Sequence, residues 1–154
     1  MIQHIKCDIF ESGADFILHQ VNCQGVMNSG IAKQVREKFP IVFDAYMLIC
    51  NSVTDSKELL GSAQFVNVND KQYIVNLFGQ DRYGYDGKTY TNYRALLNGF
   101  KCVAKYAQQD DVIAIPYLIG CARGGGDWNV VYKMIEEAFE NYNGDVLICE
   151  YNGG

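Results

Sequence analysis

Short apolar segments alternate with stretches whose apolar residues recur every three or four positions, and this alternation constrains the fold more than any other feature. Residues 16–21 (FILHQV) and 112–116 (VIAIP) have the length and composition of strands that are buried on both faces. Residues 96–107 instead carry apolar side chains at helical spacing. The alternation predicts an α/β fold, a three-layer α/β/α sandwich with a mixed, mostly parallel central sheet and right-handed crossovers between parallel strands.

The same patterns predict the remaining elements. Strands are expected at residues 2–9, 61–68, 72–78 and 145–151, and the middle two form a hairpin with its turn at 69–70. Helices are expected after residue 30, again from Pro40, and after Asp127, the predicted N-cap of a helix that ends at Asn143 and Gly144. Three connections are named here the first loop (residues 22–30), the second loop (residues 79–91) and the third loop (residues 119–127).

Length and charge bound the class of protein. The chain has 154 residues, which predicts a single domain over residues 1–154. Its 13 Lys and Arg residues against 18 Asp and Glu residues give a net charge of −5, so no general nucleic-acid-binding surface is expected. The sequence has no long uncharged apolar run and does not begin like a signal peptide, which predicts a cytoplasmic protein without membrane contact.

The cysteine and histidine content indicates reduced thiols rather than a metal centre. The chain has 6 cysteines but no C-x-x-C pair, and its histidines are limited to His4 and His19. Several cysteines lie in or beside apolar segments, where a free thiol packs as a small apolar group. The sequence therefore predicts no metal ligands and no cofactor.

The first and third loops are candidate anion sites. Each follows a buried strand and leads into a predicted helix, where free N–H groups and the helix dipole favour an anion such as a pyrophosphate. Neither loop matches the phosphate loop of nucleoside triphosphatases or the dinucleotide motif G-x-G-x-x-G. For either loop alone, a structural turn is as good an explanation as anion binding. Three consecutive glycines at 124–126 favour the close approach of another group to the backbone of the third loop.

Three polar residues lie at or near strand ends, and each has two readings. His19 shares a strand face with Ile17 and is either a general acid or base or a hydrogen-bonded core histidine. Asp8 either accepts hydrogen bonds from the amino group of a base or caps a turn. Asn22 opens the first loop and is either a ribose contact or a turn residue.

Three segments together resemble the macro domain, an ADP-ribose-binding α/β/α module. They are DIF at residues 8–10, FILHQVNCQGVMNSGIAKQVREKFP at residues 16–40, and IPYLIGCARGGGDW at residues 115–128. The resemblance covers residues 6–151 and implies the three-layer fold. It also implies that Asp8 and Ile9 contact the adenine and that Asn22 lies at the distal ribose.

The resemblance implies further ligand-binding residues in all three loops. They are Gly25, Val26, Met27, Ser29, Gly30, Ile31 and Ala32, then Gln80, and finally Pro116, Ile119, Gly120, Cys121, Ala122, Arg123, Gly124, Gly125 and Gly126. Tyrosines of the second loop, including Tyr83, Tyr85 and Tyr90, either select the substrate or pack as part of a solvated loop.

Two branches of the family resemble this chain, and they imply different chemistry. ADP-ribose-1″-phosphate phosphatases carry a histidine at the position of His19. Glycohydrolases of ADP-ribosylated protein and DNA use a lysine where this chain has Gln80, and those acting on protein also use an acid where it has Gly124. These departures favour hydrolysis of ADP-ribose-1″-phosphate to ADP-ribose and phosphate, with His19 and Asn22 as the predicted catalytic residues.

The sequence is also compatible with two alternatives to the phosphatase. One is a non-catalytic ADP-ribose reader, which needs only the binding loops. The other is a hydrolase that removes ADP-ribose from a macromolecule or cleaves O-acetyl-ADP-ribose. The expected partner is accordingly ADP-ribose or a derivative, and an ADP-ribosylated macromolecule is a further candidate.

Overall fold

A six-stranded mixed sheet lies between two pairs of helices in the computed structural model, which describes residues 1–151. The strands are β1 (Ile2–Lys6), β2 (Phe16–Val21), β3 (Ala63–Asn69), β4 (Gln72–Phe78), β5 (Ile113–Pro116) and β6 (Val146–Glu150). The helices are α1 (Gly30–Lys38), α2 (Pro40–Asn51), α3 (Tyr93–Tyr106) and α4 (Trp128–Ala138). The predicted α/β fold with a mixed, mostly parallel sheet is confirmed.

The order of the strands brings the three loops to one edge of the sheet. The order is β1-β6-β5-β2-β4-β3, and within residues 1–151 only the β3–β4 pair is antiparallel. Because β4, β2 and β5 are parallel neighbours, their carboxyl ends face the same way. The second loop follows β4, the first follows β2, and the third begins just after β5. Sheet topology therefore assembles segments that are far apart in sequence.

Strand alternation divides the core between the two faces of the sheet. Leu18 packs with apolar residues of α3 and α4, whereas its neighbour Ile17 packs with Val35 of α1 and Val42 of α2. Each of these side chains is fully buried. The helices therefore form two outer layers, α1 with α2 on one face and α3 with α4 on the other.

Local interactions shorten several predicted elements. β1 ends at Lys6 rather than at residue 9, because the Asp8 side chain caps a 3₁₀ turn over Ile9–Glu11. The hairpin turn occupies residues 70–71, one residue later than predicted. The last helix ends at Ala138 and has Phe139 as its C-cap residue, so it stops before the predicted end at residues 143–144.

The described residues show no feature of a membrane span or a metal centre. No helix within residues 1–151 combines the length and the apolar character needed to cross a membrane. In the same part of the chain, no group of three or more His, Cys, Asp or Glu residues is arranged to hold a metal ion. All six cysteines are free thiols.

Candidate functional site

A cavity of about 360 Å³ lies at the carboxyl ends of the central strands, where the three loops meet. Many of the residues predicted to bind ligand line it: Asn22, Val26, Ser29, Gly30, Ile31, Ala32, Gln80, Pro116, Ile119, Gly120, Ala122, Arg123 and Gly124. The cavity is also lined by residues that the sequence did not assign to the site: Gln20, Val21, Gly84, Tyr117 and Leu118. Asn28 of the first loop lines it too, as do Tyr83 and Tyr85, which were expected either to select the substrate or to pack as part of a solvated loop.

The first loop is shaped by the side chain of Asn22. Its Nδ2 donates to the carbonyl oxygen of Val26 at 2.9 Å, and its Oδ1 accepts the N–H of Gln24 at 2.9 Å. The buried Tyr46 hydroxyl accepts the N–H groups of Gly25 and Val26, each at 3.1 Å, and donates to Asn22. Burial raises the pKa of Tyr46, which keeps this hydroxyl protonated. Asn22 is thus a turn residue whose amide already has protein partners, and it also lines the cavity.

Helix α1 presents an N-terminus without a side-chain cap to the cavity. Ser29 is the extended N-cap residue, and its hydroxyl makes no capping hydrogen bond in the part of the chain that the structure describes. The first internal bond joins the N–H of Lys33 to the carbonyl oxygen of Ser29, so the N–H groups of residues 30–32 precede the helical ladder. Residues 29–32 all line the cavity. The cavity therefore receives amide donors together with the positive end of a helix dipole.

The third loop does not present the N-terminus of α4 to the cavity, contrary to expectation. The carboxylate of Asp127 accepts the N–H of Asn129 at 2.9 Å and so caps α4 internally. Neither Asp127 nor Trp128 lines the cavity. An anion in the cavity would thus meet residues 119–120 and 122–124 of this loop, not the dipole of α4.

Two glycines of the third loop are required by its packing against the second loop. The carbonyl oxygen of Gly124 accepts the N–H groups of Tyr90 at 2.7 Å and Thr91 at 2.9 Å. A side chain at Gly124 would overlap the Thr91 hydroxyl, and one at Gly125 would come within 2.6 Å of the carbonyl oxygen of Lys88. Contact between loops therefore explains these glycines, which the sequence suggested were needed for close approach of a ligand.

A pair of glutamines links the central strand to the second loop. Gln20 Nε2 donates to Gln80 Oε1 at 2.7 Å and to the Thr91 hydroxyl at 3.0 Å. Gln80 Nε2 in turn donates to the carbonyl oxygen of Arg82 at 2.8 Å. Gln20 Oε1 is buried and has no hydrogen-bond partner within the described residues. Both glutamines line the cavity, where they present neutral amides.

The charged group that lines the cavity is positive. Among the described residues that line it, Arg123 is the one charged side chain, and no carboxylate, histidine or lysine is present. The guanidinium carbon of Arg123 lies 4.2 Å from the centroid of the Tyr85 ring. The site is therefore suited to an anionic ligand and offers no ionisable side chain that is an evident general base.

His19 lies in the core instead of lining the cavity, which corrects the expectation of a catalytic histidine beside the first loop. Its side chain is 0% exposed, and Nε2 lies 2.5 Å from Asn76 Oδ1. Desolvation lowers the pKa of His19 to about 4, and the hydrogen bond to Asn76 opposes this shift only in part. Strand alternation places His19 on the same face as Ile17, beneath the α1–α2 layer.

The structure also places other predicted residues outside the cavity lining: Asp8, Ile9, Gly25, Met27, Cys121, Gly125 and Gly126. Asp8 Oδ1 accepts the N–H of Phe10 at 3.0 Å, so its carboxylate caps a turn. Ile9 and Met27 are buried in the core. Cys121 packs against the core, and burial, aided by the charge of Asp127, raises its thiol pKa to about 11.

Comparison with known proteins supports the fold. No family model matches the chain. Two curated relatives are named DNA ADP-ribosyl glycohydrolase: one from Mycobacterium tuberculosis, 26% identical over 157 residues, and one from Thermus aquaticus, 27% identical over 152 residues. These matches cover 100% and 94% of this chain but 43% and 39% of the relatives. The chain thus spans less than half the length of the curated relatives it matches.

Comparison with solved structures also supports the fold. A protein of unknown function from Bacteroides thetaiotaomicron has a TM-score of 0.82 and 28% identity, with 97% of this chain and 98% of that chain covered. The macrodomain of Mycobacterium tuberculosis DarG has a TM-score of 0.78 and 23% identity, with 100% and 99% covered. Thermosipho africanus DarTG in complex with ADP-ribose has a TM-score of 0.79 and 18% identity, with 97% and 41% covered. The chain has the macrodomain fold.

Proposed function

We propose that this chain binds ADP-ribose, or a molecule that carries an ADP-ribose unit, in the cavity between the three loops. The observation that carries the proposal is the N-terminus of α1, whose Ser29 side chain makes no cap and whose first residues line the cavity. Amide donors and a helix dipole in this arrangement favour a phosphate group. Arg123 adds a positive charge to the same cavity.

The two ends of the ligand need different surroundings, and the cavity offers both. Val21, Ile31 and Tyr117 supply apolar surface for a base or the face of a ribose, while Gln20 and Gln80 supply amides for hydroxyl groups. The cavity volume of about 360 Å³ is in the range of small-molecule sites. The relatives named DNA ADP-ribosyl glycohydrolase and the similarity to Thermosipho africanus DarTG in complex with ADP-ribose support the same ligand.

Hydrolysis of an ADP-ribose derivative is the second candidate function. The names of the curated relatives favour release of ADP-ribose from DNA. ADP-ribose-1″-phosphate, the substrate expected from the sequence, would require a water activated without a side-chain base, since His19 is buried and the described cavity lining has no carboxylate. Because the curated relatives are named for action on ADP-ribosylated DNA, an ADP-ribosylated macromolecule is proposed as the partner ahead of the free phosphate monoester.

Calorimetric titration with ADP-ribose, AMP and NAD in parallel tests the binding proposal. We expect ADP-ribose to bind with a Kd of about 1 μM, equivalent to about −8 kcal/mol, and more tightly than either AMP or NAD. Equal affinities for ADP-ribose and AMP would contradict the proposal. Incubation with ADP-ribose-1″-phosphate and with ADP-ribosylated DNA and protein, followed by product analysis, then separates a binding protein from a hydrolase.

A further inference from the structure

Arg123 and Tyr85 form a contact that joins two of the three loops. Arg123 belongs to the third loop and Tyr85 to the second, and both line the cavity. The distance of 4.2 Å between the guanidinium carbon and the ring centroid is that of a cation–π pair. Both side chains are exposed, so the pair lies at the mouth of the cavity.

The backbone next to Arg123 is held firmly. Its neighbour Gly124 is buried, and the carbonyl oxygen of Gly124 accepts two N–H groups from residues 90–91. The Thr89 hydroxyl donates to the carbonyl oxygen of Gly125 at 3.2 Å. These bonds fix the third loop to the end of the second loop, so Tyr85 and Arg123 approach each other from two joined segments.

The guanidinium N–H groups of Arg123 are available for a ligand. Within residues 1–151 no hydrogen bond or ion pair to a protein group involves this side chain, whereas Arg36 donates to Asn28 at 3.0 Å. A guanidinium stacked over a ring keeps its N–H groups at its edge, where they can hold two oxygens of one phosphate. Tyr85 thus limits the positions of Arg123 without occupying its donors.

We propose that Arg123, positioned by Tyr85, makes the site select ligands with two linked phosphates over ligands with one, an inference that rests on the proposed function. A single phosphate is expected to sit at the α1 N-terminus, because several fixed amide donors and the dipole hold it better than one exposed side chain. The second phosphate of a diphosphate then has Arg123 as the charged partner within the described cavity lining. Arg123 is the contacting residue and Tyr85 the positioning residue.

The test is a set of calorimetric titrations of AMP, ADP and ADP-ribose. We expect Arg123→Gln to weaken ADP and ADP-ribose binding about tenfold and AMP binding less than about threefold, since one charge-assisted contact is lost only by the diphosphates. The dependence of ADP-ribose affinity on salt should decrease in the same variant. Arg94→Gln removes an exposed arginine that does not line the cavity and serves as the matched control.

A double-mutant cycle tests the role of Tyr85. Tyr85→Leu should weaken ADP-ribose binding about threefold in the wild-type background and have no effect when Arg123→Gln is present. Tyr85→Phe keeps the ring and should bind ADP-ribose as the wild type does. Melting temperatures of all variants should stay within about 2 °C of the wild type, because both side chains are exposed.

Three outcomes would overturn the inference. They are equal weakening of AMP and ADP-ribose binding by Arg123→Gln, additive effects of Tyr85→Leu and Arg123→Gln, or failure of Tyr85→Phe to retain affinity. Failure of the proposed function has a different signature, because the wild-type protein would then bind ADP-ribose no better than AMP.

Discussion

The imidazole of His19 is paired with the side-chain amide of Asn76 inside the sheet, with 2.5 Å between Nε2 and Oδ1. The two residues are register partners on the adjacent parallel strands β2 and β4. Asn76 Nδ2 donates to Gln64 Oε1 at 3.0 Å, so Oδ1 faces the ring and Nε2 carries its proton. Nδ1 is buried and has no partner within residues 1–151. A proton added to Nδ1 would thus create a buried charge without a counter-ion.

Acid should destabilise the protein through His19. The pKa of this group is lowered from 6.5 to about 4 by burial, so between these pH values the unfolded chain binds a proton that the folded chain does not. The free energy of unfolding should fall as the pH falls from about 6.5 to about 4, by roughly 3 kcal/mol in total from this group. Above pH 6.5 both states are neutral at this position and the contribution of His19 to the pH dependence vanishes.

Urea unfolding of the wild type and of His19→Gln, followed by tryptophan fluorescence at several pH values, measures this effect. The variant lacks the titrating group, so the stability difference between the two proteins should shrink as the pH is lowered. A difference that stays constant from pH 7 to pH 4.5 would contradict the assignment.

Ligand binding at neutral pH should not depend on the ring of His19. The side chain is fully buried and does not line the cavity. We expect His19→Gln to bind ADP-ribose within about twofold of the wild-type Kd when corrected for the folded fraction, because the glutamine amide has no route to the ligand. A tenfold loss of affinity with an unchanged melting temperature would contradict this expectation and show that His19 contributes to ligand binding.

Gly125 and Gly87 provide a matched pair of glycines. Both have positive φ, +71° and +78°, but an added side chain has open space at Gly87 and meets the backbone of Lys88 at Gly125. Gly87→Ala should cost about 1 kcal/mol of stability from backbone strain alone, and Gly125→Ala at least about 1 kcal/mol more. Equal losses in thermal or urea unfolding would show that the second loop moves away freely.

Leu118 adopts a backbone conformation that suits glycine better. Its φ is +66°, and it lines the cavity with 39% of its surface exposed. Leu118→Gly should therefore be more stable than Leu118→Ala by about 1 kcal/mol, the reverse of the usual order for these two residues. Both variants should bind ADP-ribose more weakly than the wild type, because each removes apolar surface from the cavity. Unfolding curves and titrations of the two variants provide the measurement, and a more stable alanine variant would exclude strain at this position.

Local patterns in the sequence were sufficient for the elements and for several of their ends. The strand over residues 16–21 has the predicted bounds, because polar segments on both sides of a short apolar run mark where the strand begins and ends. Pro40 begins α2, where its fixed φ suits the first helical turn. Asp127 caps α4 as predicted, because a cap needs only groups two residues apart. The first loop could be recognised for the same reason, as its glycines and the α1 N-terminus are contiguous in the chain.

Periodicity and turn residues were therefore enough to predict the layers of the fold and the segments that form the cavity. The chemistry of individual side chains depends instead on contacts between segments that are distant in the sequence. His19 meets Asn76 across 57 positions, and Thr91 meets Gly120 across 29, so neither contact leaves a trace in a local pattern. The pairing of Arg123 with Tyr85 likewise depends on two loops folding against each other. Charge state, hydrogen-bond partners and access to a ligand depend on the packing of distant segments, whereas helix and strand formation depends largely on near neighbours.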